Sequence, residues 1–382
     1  MSADIAAVSW SPVRVVHLTS SHPPDDIRIF GKECRSLGQA GYDVHLLAPG
    51  AAGGTHDGVA IHGFDLPTGV RPLRIVRRLW RAWRCARALG PGLCHFHETE
   101  LVPVALLLKL GGARIVYDIH EDHLSTVSYS ARRSGGRRLG FRVLEALARR
   151  TCDAFVAATP AIARHFPAER TIELLNYPLA DEFAPAPTDR PGADVVYVGS
   201  ITRPRGLGEM VEAARRVRRP EARLVLVGSF ESEQLRREAA SLPGWERVEY
   251  RGRLGRAELG EQLARSRVGL VILHPERNYV ESFPTKLFEY MAVGLPAIVS
   301  DFPFFRELVE PLGCAVFVDP LDPAQIAAAI DELLADGSRA EEMGRRGAEA
   351  VRNGLNWERE APKLVDLYER LGAAAPSALP SL

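Results

Sequence analysis

The sequence predicts an α/β protein made of two doubly wound parallel-sheet domains. The chain has 382 residues, its short apolar runs alternate with helical periodicity, and this alternation restarts after a proline-rich break. A chain of this length exceeds the usual size of a single hydrophobic core, so two domains are expected. Apolar strands that alternate with helical segments are typical of parallel sheets with crossover helices.

The first series of apolar runs predicts the sheet of an N-terminal domain at 1–180. A run at 13–18, a helical pattern at 28–39 and a run at 43–48 form one βαβ unit. Further strands are predicted at 59–63, 93–96, 114–118, 153–157 and 171–174. The next segment carries prolines that break the pattern and predict a linker. They are Pro185, Pro187 and Pro191.

A second series of apolar runs predicts a C-terminal domain at 181–355. Its strands are expected at 194–199, 222–228, 247–252, 268–273, 296–300 and 315–318. A last helix, from about Trp357 to Leu371, lies in a separate C-terminal segment at 356–382. Doubly wound sheets bind ligands outside the carboxyl ends of their strands, so we expect a crevice between the two domains.

The composition is that of an ordinary globular protein with zero net charge. Its cysteines are scattered, form no CxxC pair and are odd in number, which predicts reduced thiols in a cytosolic compartment. They are Cys34, Cys85, Cys94, Cys152 and Cys314. No run reaches the ~18 apolar residues that a membrane span requires, and the first residues lack the pattern of a secretory leader. We therefore expect a cytoplasmic protein without a transmembrane segment.

One segment of the second domain predicts a helix start that binds phosphate between two carboxylates. Glu281 and Glu289 flank Pro284, which suits the first position of a helix because its missing N–H would have no partner there. The N–H groups of Thr285 and Lys286 would point towards a diphosphate, and Lys286 adds a positive charge. Glu281 could reach a sugar hydroxyl, and Glu289 a ribose diol. An ordinary capped helix with surface acids is the alternative for the two acids alone.

A glycine turn with two arginines predicts a second phosphate contact. Gly199 ends an apolar run, and Arg203 and Arg205 follow in the loop before the next helix. Glycine lets the backbone approach a phosphate, and arginine binds phosphate through two parallel hydrogen bonds. The loop matches neither the GxGxxG fingerprint nor the Walker A pattern, which disfavours a dinucleotide-dependent oxidoreductase and an NTPase. A plain connection between strand and helix is the alternative.

A strand in the first domain ends in a group of titratable residues. His120 follows this strand directly and is expected to face the crevice, with an ordinary surface histidine as the alternative. Metal binding by His120, Glu121, Asp122 and His123 was weighed, but that spacing matches no defined motif. We therefore predict no metal site.

The loop after the first strand carries candidates for acceptor binding. Asp25, Asp26 and Arg28 could bind the hydroxyl or phosphate groups of an acceptor. They could equally cap the helix that follows, and the sequence leaves both interpretations open.

A basic segment at 71–87 predicts an amphipathic helix with seven arginines and no acid. Its arginines recur at steps of three and four residues, and its leucine, valine and tryptophan residues share another face. This pattern resembles an interfacial helix attracted to anionic lipid. A helix packed on the core with a solvated basic face is the alternative. Nucleic acid is not predicted as a partner, because no recognised module accompanies the charge.

These residues together resemble the retaining glycosyltransferases of family 4. Members have the GT-B fold, with two Rossmann-like domains facing an interdomain cleft, and the resemblance is most specific at 278–307. It implies that Arg205 and the backbone at Thr285 and Lys286 contact the donor diphosphate. It also implies that Glu281 binds the donor sugar, that Glu289 binds the ribose and that the last helix crosses back to the first domain. His120 would lie near the transferring centre, so Glu281 and His120 are the expected catalytic residues.

Three departures from the family pattern concern the substrates. Ser200 stands where many members carry arginine, Pro284 stands where many carry glycine, and residues 22–26 replace a glycine-rich loop. Arg203 or Lys286 is expected to compensate for the missing arginine.

The implied activity is transfer of a hexose from a nucleotide-diphosphate sugar to a lipid-linked or glycan acceptor with retention of configuration. UDP is the default base and GDP the alternative, and no cofactor or metal is expected. The pathway would be assembly of a cell-surface polysaccharide or glycolipid, in the cytoplasm or peripherally on the inner face of the membrane. A sugar-nucleotide epimerase or hydrolase of the same fold, and a non-catalytic assembly partner, are the competing classes.

Overall fold

The computed structural model of the chain describes residues 13–65, 71–120, 135–183, 190 and 192–373. The chain divides into two compact units, each with its own parallel sheet. Unit 1 comprises Met1–Leu175 and Glu360–Leu382, and unit 2 comprises Asn176–Arg359. The linker prolines predicted from the sequence lie outside the described residues.

Unit 1 contains an eight-stranded sheet in the order β3-β4-β2-β1-β5-β6-β7-β8. All neighbours pair in parallel except β3, which is antiparallel to β4. The strands are β1 (Arg14–Leu18), β2 (Asp43–Pro49), β3 (Gly54–His56), β4 (Val59–Phe64), β5 (Leu93–Phe96), β6 (Arg114–Ile119), β7 (Ala154–Ala157) and β8 (Thr171–Glu173). Strands β5 and β7 are buried over their whole length and β6 over all but its first residue, as expected for a sheet with helices on both faces.

The helices of unit 1 follow the strands in alternation. The first begins with a π-helical stretch, Ile27–Cys34, and continues as Arg35–Gln39; together these form α1. The others are α2 (Arg71–Leu89), α3 (Val102–Leu110), α4 (Gly135–Thr151) and α5 (Pro160–Ala163). Buried side chains of α2, α3 and α4 pack with those of β5 and β6 in one hydrophobic core.

Unit 2 contains a six-stranded parallel sheet in the order β11-β10-β9-β12-β13-β14. Its strands are β9 (Asp194–Val198), β10 (Arg223–Val227), β11 (Val248–Gly252), β12 (Val268–Val271), β13 (Ala297–Ser300) and β14 (Ala315–Val318). Its helices are α6 (Leu207–Arg216), α7 (Glu233–Ala240), α8 (Arg256–Arg265), α9 (Arg277–Val280), α10 (Thr285–Ala292), α11 (Pro303–Val309), α12 (Pro323–Ala335) and α13 (Gly337–Asn353).

The strand orders place candidate sites at the carboxyl ends of the central strands. In unit 1 the chain runs from β1 to β2 on one side and returns to β5 on the other, and in unit 2 it does the same around β9. Such a reversal of strand order opens a space beyond the strand ends that helices do not cover. The segments after β1, β5 and β6, and those after β9 and β12, are therefore the first places to look for ligand binding.

The last helix, α14 (Trp357–Arg370), begins in unit 2 and continues into unit 1. In unit 1 the Tyr368 hydroxyl lies 2.7 Å from Nδ1 of His95, and the Tyr42 hydroxyl donates to the carbonyl oxygen of Ala373 at 2.8 Å. Tyr368 is fully buried, so its ring and hydroxyl tie the end of the chain to the core of unit 1. None of the helices in the described ranges is long and apolar enough to cross a membrane.

The predicted fold class is confirmed. Every predicted strand is present with its ends shifted by two residues or fewer. The sequence analysis missed β3, because this strand is short, begins in glycine and is fully exposed, so it shows no apolar alternation. It also placed Pro284 inside α10, whereas the helix begins at Thr285 and Pro284 precedes it with ψ of 76°.

Candidate functional site

In unit 2 two cationic side chains converge on the glycine that follows β9. Gly199 has φ of 125°, and a Cβ atom built on it would lie 3.3 Å from Nζ of Lys286 and 3.6 Å from Nη1 of Arg205. A side chain at this position would therefore be strained and would crowd both cations. Three of the predicted donor-binding residues thus come together at the carboxyl end of a central strand.

In the part of the chain that the structure describes, the Lys286 ammonium has no hydrogen-bond partner. Its Nζ atom is buried and lies 3.7 Å from the centre of the Tyr197 ring. Burial, and then the nearby positive charge of Arg205, lower the pKa of Lys286 well below its usual value. The Arg205 guanidinium lies 5.8 Å from the centre of the Tyr279 ring. Burial would lower the pKa of Arg205, but Tyr197 and Tyr279 raise it. Among the described residues neither cation forms an ion pair with an acid, although the Glu289 charge is near enough to act on the pKa of Lys286. An anion would therefore stabilise this site.

Helix α10, which carries Lys286, is fixed to the sheet through Tyr290. The Tyr290 hydroxyl accepts from the N–H of Val198 at 3.0 Å and donates to the carbonyl oxygen of Leu270 at 3.3 Å. Gly269 makes room for the Tyr290 ring, because a Cβ atom there would lie 2.4 Å from a ring carbon. The sequence analysis did not select Tyr290, although it lies four residues after Lys286 on the same helix.

The start of α10 differs from the prediction. The N–H of Thr285 donates to the carbonyl oxygen of Phe283 at 3.0 Å, and the N–H of Leu287 donates to that of Pro284 at 2.9 Å. Pro284 precedes the helix, and residues 283–285 form a tight turn in which the first helical N–H is hydrogen-bonded. The Thr285 amide therefore already has a partner, and the positive charge at this end comes from the Lys286 side chain.

The Glu289 carboxylate lies one turn after Lys286 and is held by an arginine that the sequence analysis did not select. Nη1 of Arg256 donates to Oε1 of Glu289 at 2.9 Å, and its Nη2 pairs with Glu182. The guanidinium also stacks on Phe183, 4.7 Å from the ring centre. Arg256 thus orients Glu289 through one of its two oxygens. No local pattern indicates this contact, because Arg256 lies 33 residues from its partner in the sequence.

The other two predicted residues of unit 2, Arg203 and Glu281, are exposed. Arg203 pairs with Glu238 on α7. Glu281 directly follows α9. The structure thus gathers Gly199, Arg205 and Lys286 in one place.

In unit 1 His120 is supported by a buried carboxylate. Its Nε2 donates to Oδ2 of Asp118 at 2.7 Å, and Nδ1 of His97 donates to the same oxygen at 3.2 Å. Burial alone would raise the pKa of Asp118, but the Arg28 guanidinium and His120 hold it well below its usual value. Because an ionised carboxylate only accepts hydrogen bonds, His120 keeps its Nε2 proton and presents Nδ1 on the other side of the ring.

A chain of buried histidines continues from Asp118 into unit 1. His17 Nδ1 lies 3.1 Å from His97 Nε2, and the Tyr368 hydroxyl lies 3.2 Å from His17 Nε2 and 2.7 Å from His95 Nδ1. Burial lowers the pKa of His17, His95 and His97, which favours their neutral forms. With neutral rings, each donor along this chain can point towards Asp118, from His95 through Tyr368 and His17 to His97.

Two of the three residues predicted to bind the acceptor, Asp26 and Arg28, have structural roles in the loop after β1. Arg28 is buried and donates to both oxygens of Asp118 at 3.1 and 3.3 Å and to the carbonyl oxygen of Leu174 at 3.0 Å. It also forms an ion pair with Glu33, with 3.0 Å between Nε of Arg28 and Oε1 of Glu33. Asp26 accepts from the backbone N–H groups of Arg28 and Ile29 and caps α1. Asp25 is exposed. The geometry favours the helix-cap alternative for Asp26 and a buried ion pair for Arg28.

Four buried side chains offer metal-ligating atoms within 4.8 Å of one another in the described part of unit 1. They are Glu33, His95, His97 and Asp118. The Arg28 guanidinium already lies between the two carboxylates and supplies the positive charge there. Burial and Asp118 raise the pKa of Glu33 well above its usual value, which favours a neutral acid in that position. Glu121, Asp122 and His123, which the sequence analysis weighed as ligands, lie outside the described residues.

The chain is similar to known sugar-transferring proteins in both units. Residues 28–173 match the glycosyl transferase 4-like domain, and residues 181–350 match glycosyl transferases group 1. A phosphatidyl-myo-inositol mannosyltransferase of Mycobacterium leprae is 30% identical over 210 residues, which are 53% of this chain and 54% of the relative. The protein of that name from Mycobacterium tuberculosis is 27% identical over 297 residues, which are 75% of this chain and 69% of the relative. The match therefore spans about half of the first relative's length.

Solved structures support the same fold. Sucrose-phosphate synthase from Thermosynechococcus elongatus superposes with a TM-score of 0.76 at 22% identity, over 94% of this chain and 99% of that one. Anabaena HepE in complex with UDP and glucose superposes with a TM-score of 0.74 at 16% identity, over 95% and 100%.

Two parallel α/β units with these structural neighbours define a GT-B protein. Within that class the chain belongs to the family 4 glycosyltransferases, the glycosyl transferases group 1.

Proposed function

We propose that this protein transfers a hexose from a nucleoside diphosphate sugar to a lipid-linked or glycan acceptor, with retention of anomeric configuration. The cation pair of Arg205 and Lys286 beside Gly199 carries this proposal. Transfer breaks the bond between the anomeric carbon and a diphosphate oxygen, so negative charge develops on the leaving group. A buried ammonium without a partner, next to a guanidinium, is suited to stabilise that charge.

The remaining predicted residues have roles that fit this reaction. Glu289, oriented by Arg256, would accept hydrogen bonds from the ribose diol through its second oxygen. Glu281 would bind the donor sugar, and His120 would accept a hydrogen bond through Nδ1 from an acceptor hydroxyl next to the reacting one. The reacting oxygen forms the new bond to the anomeric carbon as the bond to the diphosphate oxygen breaks, and its proton passes to the departing diphosphate. Arg205 and Lys286 supply the positive charge for this step from side chains, so we propose that the reaction needs no metal.

The acceptor side of the proposal draws on the relatives and on α2. The mycobacterial relatives are named for a lipid-linked acceptor. Leu73, Val76 and Trp80 of α2 are each more than half exposed, while Ala82 and Ala86 form its buried face. The exposed apolar residues lie among arginines, and the Arg84 guanidinium stacks 5.5 Å from the centre of the Trp80 ring. This combination fits peripheral contact with an anionic membrane on its cytoplasmic side, where glycolipid or polysaccharide precursors would be the acceptors.

The test is incubation with a panel of UDP- and GDP-sugars, with nucleotide release and thermal stabilisation as readouts. We expect UDP-sugars to bind and release UDP with or without chelator. Arg205→Ala and Glu281→Ala should each lower turnover by more than tenfold, because each removes a contact to the charge that develops in transfer. Arg236→Ala is the matched control, since that exposed arginine pairs only with its helix neighbour Glu233 among the described residues. Unchanged transfer in both site variants would refute the proposal.

A further inference from the structure

Two histidines of unit 1 face each other, each supported by a buried carboxylate. The centres of the His22 and His120 rings lie 5.3 Å apart with their planes at 60°. His22 Nδ1 lies 2.8 Å from Oε1 of Glu98, and His120 Nε2 lies 2.7 Å from Oδ2 of Asp118. The side chains of His22 and His120 are 30% and 18% exposed to solvent, respectively. The pair therefore stands at an accessible edge where the segments after β1 and β6 meet.

Hydrogen-bond donors from the loop after β1 surround the Glu98 carboxylate. It accepts hydrogen bonds from the Thr19 hydroxyl at 2.5 Å, from the Ser20 N–H at 2.9 Å, and from the N–H and hydroxyl of Ser21 at 3.1 and 2.8 Å. Burial opposes ionisation, but the bonds from His22 and Thr19 lower the pKa of Glu98 to about 2. A negative charge is therefore fixed behind His22 throughout the physiological pH range.

This charge favours the protonated form of His22, which carries an N–H at Nε2 on the outer edge of the ring. The hydrogen bond to Glu98 raises the pKa of His22, although burial opposes the shift. The charged groups that face the ring are Glu98, Asp26 and Asp118, and all of them favour the protonated form. Among the residues that the structure describes, nothing bonds to Nε2 of His22 or to Nδ1 of His120. Two ring nitrogens, one of them a charged donor, are thus available to the same ligand.

His22 is not needed to satisfy Glu98. The carboxylate already has four donors from Thr19, Ser20 and Ser21, which is close to the capacity of its two oxygens. A loop whose role was only to bind Glu98 would not require His22 as a fifth donor. His22 instead places an imidazole with a raised pKa at the surface, beside the His120 ring that we assign to the acceptor.

We propose that the His22–His120 pair binds the phosphate group of a phosphorylated acceptor. His22 would donate from Nε2 to a phosphate oxygen, and Nδ1 of His120 would accept a hydrogen bond from a neighbouring hydroxyl of the same ligand. A phosphate monoester and the phosphodiester of a lipid headgroup share this chemistry. The inference rests on the proposed function only in naming the ligand as the acceptor.

The test measures acceptor binding without a donor. Myo-inositol, myo-inositol monophosphate and glycerophospho-myo-inositol are titrated into the full chain while the ring resonances of His22 and His120 are followed by NMR. We expect both phosphate-bearing probes to shift these resonances and to bind at least about tenfold more tightly than myo-inositol, as a charge-assisted hydrogen bond provides. A monoester bound more tightly than the diester would indicate a free phosphorylated acceptor, and the reverse a lipid headgroup.

His22→Gln should abolish the preference for phosphate and leave stabilisation by UDP unchanged, which also reports that the variant folds. His165→Gln, at an exposed histidine of the same unit, is the matched control and should retain the preference. The affinity of the diester, whose charge is constant, should fall as pH rises through the raised pKa of His22. Equal affinities for the three probes, or a preference that survives in His22→Gln, would overturn the inference. Neither result would affect nucleotide release, so failure here is distinguishable from failure of the proposed function.

Discussion

Replacing Lys286 by methionine should weaken donor binding without destabilising the free protein. Nζ of Lys286 is buried and unpartnered, and it lies next to Arg205. A hydrogen bond to a charged group contributes about 1.5–3 kcal/mol. Loss of the bond to a donor phosphate should therefore weaken UDP binding by about 10- to 150-fold. Calorimetric titration with UDP measures this change directly.

The free protein should respond in the opposite direction. The pKa of Lys286 is lowered in the folded state, so the unfolded chain binds more protons between that lowered pKa and the ordinary lysine value of ~10.4. The free energy of unfolding therefore rises with pH through this window in the wild type. Lys286→Met lacks the titrating group, so it should lose this pH dependence and be at least as stable as the wild type at neutral pH.

The assay is thermal unfolding across a pH series, with and without UDP. Lys363→Met is the matched control, because Lys363 is half-exposed and pairs with Glu360. That variant should keep the UDP-induced rise in melting temperature and the pH dependence of the wild type. A Lys286→Met protein that binds UDP as tightly as the wild type, or whose free form melts at a markedly lower temperature, would refute the reasoning.

Three further predictions concern other parts of the molecule. Arg256→Gln should weaken UDP binding by about tenfold through loss of an oriented Glu289, but leave pyrophosphate binding unchanged in the same titration, since pyrophosphate has no ribose. Trp80→Glu should lower co-sedimentation with anionic liposomes at low salt, and unchanged sedimentation would contradict membrane contact through α2. Gly344→Ala should lower the free energy of unfolding by about 1–3 kcal/mol in urea denaturation, because its Cβ would lie 2.0 Å from a carbonyl oxygen. Gly208→Ala, where a Cβ meets nothing within 4 Å, is its control and should not destabilise the protein.

The phosphate-facing part of the candidate site could be predicted because its signals are local. Gly199, Arg205 and Lys286 each follow a strand or begin a helix, and the carboxyl ends of parallel strands lie at one edge of a sheet. The same logic selected His120 at the end of β6. Arg203 pairs with Glu238, and its contact with the donor stays a prediction. Sequence spacing alone does not fix the direction of a loop side chain.

The loop after β1 could not be interpreted from the sequence. Asp26 and Arg28 were expected to face a ligand or to cap a helix, and only the packed structure distinguishes the two. Arg28 is drawn inward because Asp118, 90 residues away in the sequence, offers it a buried negative charge. His22 was noted only as part of a loop that departs from the family pattern. Its role depends on Glu98, which lies 76 residues away in the sequence.

By itself the sequence determined the two parallel α/β units, their strands and the glycine, arginine and lysine that meet at the end of β9. These features depend on periodicity and on chemistry between near neighbours, both of which are written locally in the chain. Tertiary structure alone decided which charges are buried, which carboxylate supports which histidine, and that Arg256 orients Glu289. Those outcomes depend on strand order, which brings distant residues within hydrogen-bonding distance and sets the burial that shifts the pKa of each group.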